Sequence, residues 1–409
     1  MSEAFSQGGW STEKLASLVD VVYGKSPAEI DKLDAGLPIF GTGGVVGYTD
    51  EALYDGPSVI LGRKGTIDKV QRSPGPFWAI DTTYYTTPKR EFDWSWLYYV
   101  ISSFDLRKLN EASGVPSLSR SSLESLDVPT PPLQEQQKIA AILTAVDDKL
   151  DVIARQIEAT QTLKQGLMQT LFSRGVGTPD ADGRWVPHAE FKDSPFGPIP
   201  TMWGVKTLGE VCHGALQTGP FGSQLHAYEY QDEGVPVLMP KDLVNCRANL
   251  ETAAKVSQTR AEELDKHRLN RGDLLFSRRG DVARFALIDE KSEGALCGTG
   301  CLKAIPGKAH SPAYLAHLLQ LDVVRTWLEQ NAVGQTMPNM NTAILGALPL
   351  VVPDDRAEQE RIAGILDGVD AKASLLNEKR ASYQTLKRGL MQKLLTGEWR
   401  VNVDADMAA

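Results

Sequence analysis

Asp273 and the run Asp289-Glu290-Lys291 are this chain's nearest approach to a bond-breaking centre. They loosely match the nuclease pattern in which paired carboxylates hold a metal and a lysine assists. The spacing is permissive, and Gly272-Asp273 reads more simply as a turn into the strand Leu274-Leu275-Phe276. A zinc centre needs two close ligand pairs. Cys297 and Cys301 supply one, whereas Cys212, Cys246, His213 and His267 are scattered, so reduced core thiols are the plainer reading. Gly24-Lys25-Ser26 has the tail of a phosphate-cradling loop, but Val19 stands where its first glycine belongs. Gly41-Thr42-Gly43-Gly44 and Gly298-Thr299-Gly300 are turn signals without a dinucleotide fingerprint. The six His suggest no Ser-His-Asp arrangement. With so little reactive chemistry, the chain reads as a binding protein.

The residue types suited to nucleic acid are more plentiful. Arg260, Lys266, Arg268, Arg271, Arg278, Arg279 and Arg284 raise the positive density of the second half, although Glu262, Glu263, Asp265, Asp273 and Asp281 lie among them. A solvated mixed face is the competing reading. The first half has a smaller cluster, Arg63, Lys64, Lys69 and Arg72. Arginine can bridge O6 and N7 of guanine, and Asn or Gln can do the same for adenine. Arg63, Arg278, Gln335, Asn339 and Asn341 have the right side chains for this, and would serve equally well on phosphates. The net charge of −9, from 43 basic and 52 acidic residues, lowers the expectation of a stand-alone nonspecific DNA binder. It does not exclude a local basic groove.

These residues need elements to position them, and an internal repeat supplies the plan. Glu135-Gln136-Gln137-Lys138-Ile139-Ala140-Ala141-Ile142-Leu143 returns as Glu358-Gln359-Glu360-Arg361-Ile362-Ala363-Gly364-Ile365-Leu366. Gln161-Thr162-Leu163-Lys164-Gln165-Gly166-Leu167-Met168-Gln169 returns as Gln384-Thr385-Leu386-Lys387-Arg388-Gly389-Leu390-Met391-Gln392, with no gap between the blocks. Ile139, Leu143, Val146, Leu150, Ile153 and Ile157 step by four and three, and Leu167 and Leu171 resume the phase. The second copy runs Ile362, Leu366, Val369, Ala373, Leu376, Tyr383, Leu390 and Leu394. A stripe repeating every 3.5 residues marks a coiled coil. Two matching stripes suit each other better than two separate cores, and antiparallel packing of the copies would create a pseudo-two-fold axis. Thr160, Lys164, Arg380 and Lys387 are expected as polar seam positions that set register. Pro131-Pro132 and Pro353 precede the helices, while Gly175 and Gly397 lie where they should stop. A helix of about 38 residues would be about 57 Å long.

The segments ahead of each helix are related more weakly. Ile60-Leu61-Gly62-Arg63-Lys64-Gly65-Thr66-Ile67 resembles Leu275-Phe276-Ser277-Arg278-Arg279-Gly280-Asp281-Val282. Each predicts a hairpin whose turn presents a basic pair. Gly114-Val115-Pro116-Ser117-Leu118-Ser119-Arg120 and Gly334-Gln335-Thr336-Met337-Pro338-Asn339-Met340-Asn341 close the two segments. The expected order is domain 1–131, helix 132–175, linker 176–198, domain 199–352, helix 353–398 and tail 399–409. The fold class is α+β: two α/β domains separated by two long helices packed as an antiparallel coiled coil.

Composition agrees with a globular chain. At 409 residues, 42% apolar and 23% charged, two or three domains are expected rather than disorder. No run approaches 18 uninterrupted apolar residues, which argues against a membrane span. Residues 1–10 have no signal-peptide character. The four Cys do not form a disulfide framework. A soluble, cytoplasmic protein is expected.

The pattern resembles the specificity subunit of type I restriction–modification enzymes. The resemblance rests on Pro132-Leu133-Gln134-Glu135-Gln136 through Leu143, on Leu163-Lys164-Gln165-Gly166-Leu167-Met168, and on their copies from Glu358 to Met391. Gly62-Arg63-Lys64-Gly65, Gly219-Pro220-Phe221-Gly222-Ser223 and Ile199-Pro200-Thr201-Met202-Trp203 add to it, so it covers essentially the whole chain. Asp354-Asp355-Arg356 replaces the usual Pro-Leu lead-in, and the lead before Trp10 is short.

The resemblance implies a non-catalytic reader of double-stranded DNA. Each of its two target recognition domains reads half of a split, asymmetric site, and the helices fix the distance between the halves. It also implies two docked modification subunits that carry S-adenosylmethionine and methylate adenine, and ATP-using restriction subunits that translocate and cut. No cofactor is expected on this chain. The expected DNA-contacting residues are Arg63, Lys64, Arg120, Arg278, Arg279, Arg284, Gln335, Asn339 and Asn341. Glu135, Gln136, Glu358 and Gln359 are expected to dock the partners. A metal-dependent nuclease, a type IIB-like specificity subunit and a duplicated scaffold with no DNA role are the alternatives.

Overall fold

In the computed structural model, residues 9–334 and 338–402 are described. The chain divides into two compact units, 1–157 with 376–409, and 158–375. Two long helices, Leu133–Arg174 and Arg356–Leu394, are each shared between the units, so each unit is one α/β domain plus part of both helices.

In the first unit, strands Val19–Tyr23, Thr83–Pro88, Ser58–Gly62 and Gln71–Ser73 form an antiparallel sheet in that order. Every residue of Ser58–Gly62 is buried, as suits a central strand of β-branched and aliphatic residues. A second sheet joins Gly44–Thr49, Leu37–Gly41 and Trp78–Ala79, the last pair parallel. Ser11–Lys14 pairs with Asp127–Thr130, closing the domain just ahead of the first long helix. Helix Trp94–Ser103 buries Trp96, Leu97 and Tyr99 in a core completed by Ile139, Leu143 and Leu394 of the long helices and by Leu395 just beyond the second. Each such side chain contributes about 1.5–3 kcal/mol by leaving water.

The second unit repeats the plan. Leu216–Thr218, Cys301–Ala304, Leu274–Ser277 and Phe285–Leu287 stand in the same order, extended at the edge by Arg247–Ala248 and Leu243–Val244. Ala254–Val256, Val235–Leu238 and Leu296–Cys297 form the second sheet, again with a parallel pair. Trp203–Thr207 pairs with Pro349–Pro353 just ahead of the second long helix. The weakly related sequences before each helix therefore carry one topology.

Residues of both helix stripes are buried in each unit. In the first unit Ile153 and Ile157 cluster with Leu376 and Tyr383, and Asp147 pairs with Lys387 at 2.6 Å. In the second, Leu171 and Phe172 share a core with Ile362 and Leu366, and Lys164 pairs with Asp370 at 2.7 Å. The two ion pairs map onto each other through the repeat offset that takes Glu135 to Glu358. Thr160 is buried in the stripe, but Arg380, expected there, is exposed: it repeats the position of Ile157, and its guanidinium stays in solvent.

The expected linker is ordered into two short hairpins, Thr178–Pro179 with Trp185–Val186 and Phe191–Lys192 with Ile199–Pro200. Gly175 ends the first long helix at φ +68°, and a Cβ there would strike the Glu358 carboxylate and the Trp203 ring. No helix among the described residues is long and apolar enough to cross a membrane.

Candidate nucleic-acid interface

In the first unit the hairpin between Ser58–Gly62 and Gln71–Ser73 presents Arg63 and Lys64, as expected. The closing segment 116–120 is strapped against it. Gly65 N donates to Pro116 O at 2.8 Å and Leu118 N donates to Arg63 O at 2.9 Å, with a bridge between Lys64 and Ser117. Arg120 opens the short helix Arg120–Glu124, capped by Ser119 Oγ accepting from Ser122 N at 3.1 Å. Arg63 lies over the Tyr23 ring at 5.2 Å and donates to Asp81 O at 2.9 Å. Burial pushes the Tyr84 hydroxyl up to about 12, with the Tyr23 hydroxyl adding to the rise and Arg63 and Arg120 opposing it. The sheet end thus brings Arg63, Lys64 and Arg120 together around two tyrosines. Lys64 is exposed, and Arg120 is exposed while holding Glu124 at 2.6 Å.

The second unit builds the same strap. Gly280 N donates to Pro338 O at 3.1 Å, Met340 N donates to Arg278 O at 2.8 Å, and Arg279 bridges Asn339. Arg279 is exposed. Arg278 is half-buried, and its Nε is shielded without a hydrogen-bond partner among the described residues. A shielded donor on a permanent cation is costly until an anion or base edge accepts from it. Asn341 caps the helix Thr342–Gly346 through Oδ1, which accepts from Ile344 N at 2.8 Å, so this oxygen is engaged in the fold. Gln335 lies outside the described residues.

Much of the remaining positive charge is consumed internally. Arg260 pairs with Glu229 and Glu263, and Arg268 with Asp265. Arg284 donates to Pro240 O at 3.2 Å and faces Asp281 at 3.6 Å. Arg72 donates to Ser95 Oγ and lies over Tyr98, and Lys69 donates to Gly43 O. The mixed-face reading holds for Arg260 and Arg268, whereas Lys266, Arg271 and the strapped loops leave positive charge exposed.

The acidic nuclease pattern dissolves into local structure. Asp273 is buried and accepts from Asn270 N at 2.9 Å, and burial raises its carboxyl above the usual range. Asp289 Oδ1 accepts from Ser292 Oγ, Ser292 N and Lys291 N, closing a turn. Burial pushes the Asp289 carboxyl upward, but these hydrogen bonds outweigh it and leave the carboxyl low. Burial pushes the thiols of Cys212 and Cys297 up to about 12 and that of Cys301 well above its ordinary value, as expected for core thiols. No group of three His, Cys, Asp or Glu suited to a metal occurs among the described residues.

Comparison with known proteins agrees with this geometry. The family described as "Type I restriction modification DNA specificity domain" matches residues 7–161 and 200–383, most of the chain. The chain belongs to this family. The type I restriction enzyme MjaVIII specificity subunit of Methanocaldococcus jannaschii is 25% identical over 301 residues, 72% of this chain and 67% of its own. The putative MjaX specificity subunit of the same organism is 26% identical over 319 residues, 76% of this chain and 70% of its own. The fold is that of a type I restriction–modification S subunit from M. genitalium, with a TM-score of 0.66 at 16% identity, covering 96% of this chain and 98% of that one. As a DNA-specificity subunit, this protein selects sequence for a restriction–modification complex.

In the specificity subunit, Glu135, Gln136, Glu358 and Gln359, expected at the partner contacts, serve the internal structure. All four are buried and bonded within their own units. Glu358 accepts from Trp203 Nε1 at 2.9 Å and from Val176 N and Gly177 N at 3.0 Å, and bonds His188 Nε2 at 2.9 Å. Glu135 accepts from Trp10 Nε1 at 2.9 Å and Arg400 Nε at 3.0 Å. Gln136 ties Asp93 N to Pro131 O, and Gln359 ties Ser311 N to Pro353 O. These side chains fasten each domain to the start of its helix. A buried charge needs such partners, but they lie far away in sequence, so helix periodicity could not reveal them. The repeated Trp at the start of each domain was the available signal.

Proposed function

We propose that this specificity subunit reads an asymmetric, two-part DNA site, one half through each unit. Target recognition is assigned to domains 1–131 and 199–352, and the spacing of the half-sites to the two long helices acting as an antiparallel, pseudo-two-fold coiled coil. The paired contacts of Asp147 with Lys387 and Lys164 with Asp370 support that register. The observation that carries the reading is the shared strap: both units present adjacent basic residues, Arg63-Lys64 and Arg278-Arg279, from a loop held by equivalent backbone hydrogen bonds. A dimeric DNA reader uses two like modules for two like half-sites. Here the modules share a frame but differ in side chains, which favours unlike half-sites.

The exposed faces of the helices are assigned to two modification subunits, with restriction subunits joining them in the cytoplasm. S-adenosylmethionine and ATP belong to those partners. The test is to map methylated adenines in DNA from cells carrying this chain and its modification subunit. The reading requires one bipartite motif with a fixed spacer, and Arg278→Ala with Arg279→Ala relaxes or abolishes one half of it while the other half persists. Methyl transfer to DNA by the isolated chain would refute it.

A further inference from the structure

We infer that the loop leaving Gly219 is an aromatic wedge for duplex DNA, with Phe221 and the His226–Tyr228 stack entering a base step of the half-site read by the second unit. The inference rests on the DNA reading above and adds a mode of recognition to it. Phe221 is 56% exposed and Tyr228 82% exposed, and the rings of His226 and Tyr228 stack at 5.2 Å with an interplanar angle of 10°.

The loop is fixed in advance. Phe221 O accepts from Gln224 N at 2.8 Å, and Gln224 Oε1 accepts from Phe221 N at 3.1 Å. Leu225 is buried with Val237, Val256 and Leu296. Glu229 accepts from His226 N at 2.6 Å and is gripped by Arg260 at 2.6 Å. Little conformational freedom remains to be lost when a ligand arrives.

Its attachment places it beside the presented charge. Gly219 N donates to Cys301 O at 3.0 Å, and a Cβ on Gly219 would strike the Gly298 carbonyl, so only glycine lets the chain pass there. Arg278 N donates to Gly300 O at 2.8 Å, from the same turn, and Arg284 reaches Pro240, which packs on Gly300. The aromatic loop and Arg278 are therefore anchored at one turn, Gly298–Cys301. Apolar wedges beside basic groups unstack flexible pyrimidine–purine steps and bend the duplex, which yields specificity without a base-edge contact. In the first unit the chain after Gly24 instead turns into the short helix Pro27–Glu29 capped by Ser26, so the deformation belongs to one half-site.

The test uses the chain assembled with its modification subunits and a duplex carrying the mapped site, with 2-aminopurine placed in turn at each step of the second unit's half-site. Binding should raise the fluorescence several-fold at one step. Phe221→Ala or Tyr228→Ala should remove that signal and weaken binding about tenfold, and Tyr228→Phe should retain both. If Arg278→Ala with Arg279→Ala weakens binding while the aromatic variants change neither affinity nor fluorescence, the wedge is wrong and the DNA reading stands. If none of these variants alters DNA binding, this end of the unit is not a DNA surface and both readings of it fail. Loss of subunit assembly by Phe221→Ala, with circular dichroism unchanged, would make the loop a protein contact and overturn the wedge.

Discussion

The Trp203 indole donates to the Glu358 carboxylate at 2.9 Å, and the Trp10 indole does the same to Glu135 at the same distance. Each bond ties the first residues of a domain to the first turn of the helix that follows it. The two carboxylates differ in their remaining partners. Glu358 is 2% exposed and holds two backbone amides and His188, whereas Glu135 holds Arg400 from the segment after the second helix.

Replacing Glu358 by Gln puts an amide among donors and leaves buried N–H groups without an acceptor. The expected loss is about 3 kcal/mol, read from urea unfolding. Glu135→Gln should cost less, because Arg400 remains partly solvated. Equal effects would mean that burial does not control these two sites.

Acid should weaken the first unit in a defined way. Burial opposes ionisation of Glu135, but Arg400 and Trp10 outweigh it and hold the carboxyl below its ordinary 4.5. Its stabilisation is therefore complete above pH 4.5 and is lost as pH falls through the lower folded value. Unfolding midpoints measured with pH should fall below 4.5 in the wild type and be flatter there in Glu135→Gln.

Burial also lowers the imidazoles of His267 and His310 from 6.5. A depressed imidazole binds fewer protons folded than unfolded, so stability is present above pH 6.5 and declines below it. Thermal unfolding should show the decline as pH falls below 6.5, and His267→Gln should reduce it.

Arg278→Ala with Arg279→Ala should weaken DNA binding by the assembled complex about 10- to 100-fold. The slope of log affinity against log salt should also become shallower. Gel-shift titrations at several salt concentrations measure both, and unchanged circular dichroism would show the helices intact. An unchanged affinity at fixed salt would remove the pair from the interface.

Four residues inserted beside Ala154, an exposed position on the first long helix, should change the spacer between methylated half-sites or abolish assembly. Methylation mapping reads the outcome. An unaltered spacer and rate would separate the helices from the spacing function.

The sequence alone determined the duplicated helices and their inward stripes, because a 3.5-residue period and a repeated block survive without knowledge of any contact. It also determined that Arg63-Lys64 and Arg278-Arg279 sit at hairpin turns, since Gly and basic residues after an apolar run specify that locally. Only the tertiary structure decided which charges are presented and which are consumed. Glu135 and Glu358 look like surface residues in a polar helix turn, yet Trp10 and Trp203 fold over them from outside the helix. Arg260 looks like part of a basic patch until Glu229 and Glu263 close on it. A charge has one sign in the sequence, but its burial and its partners are set by segments that meet only when the chain is folded.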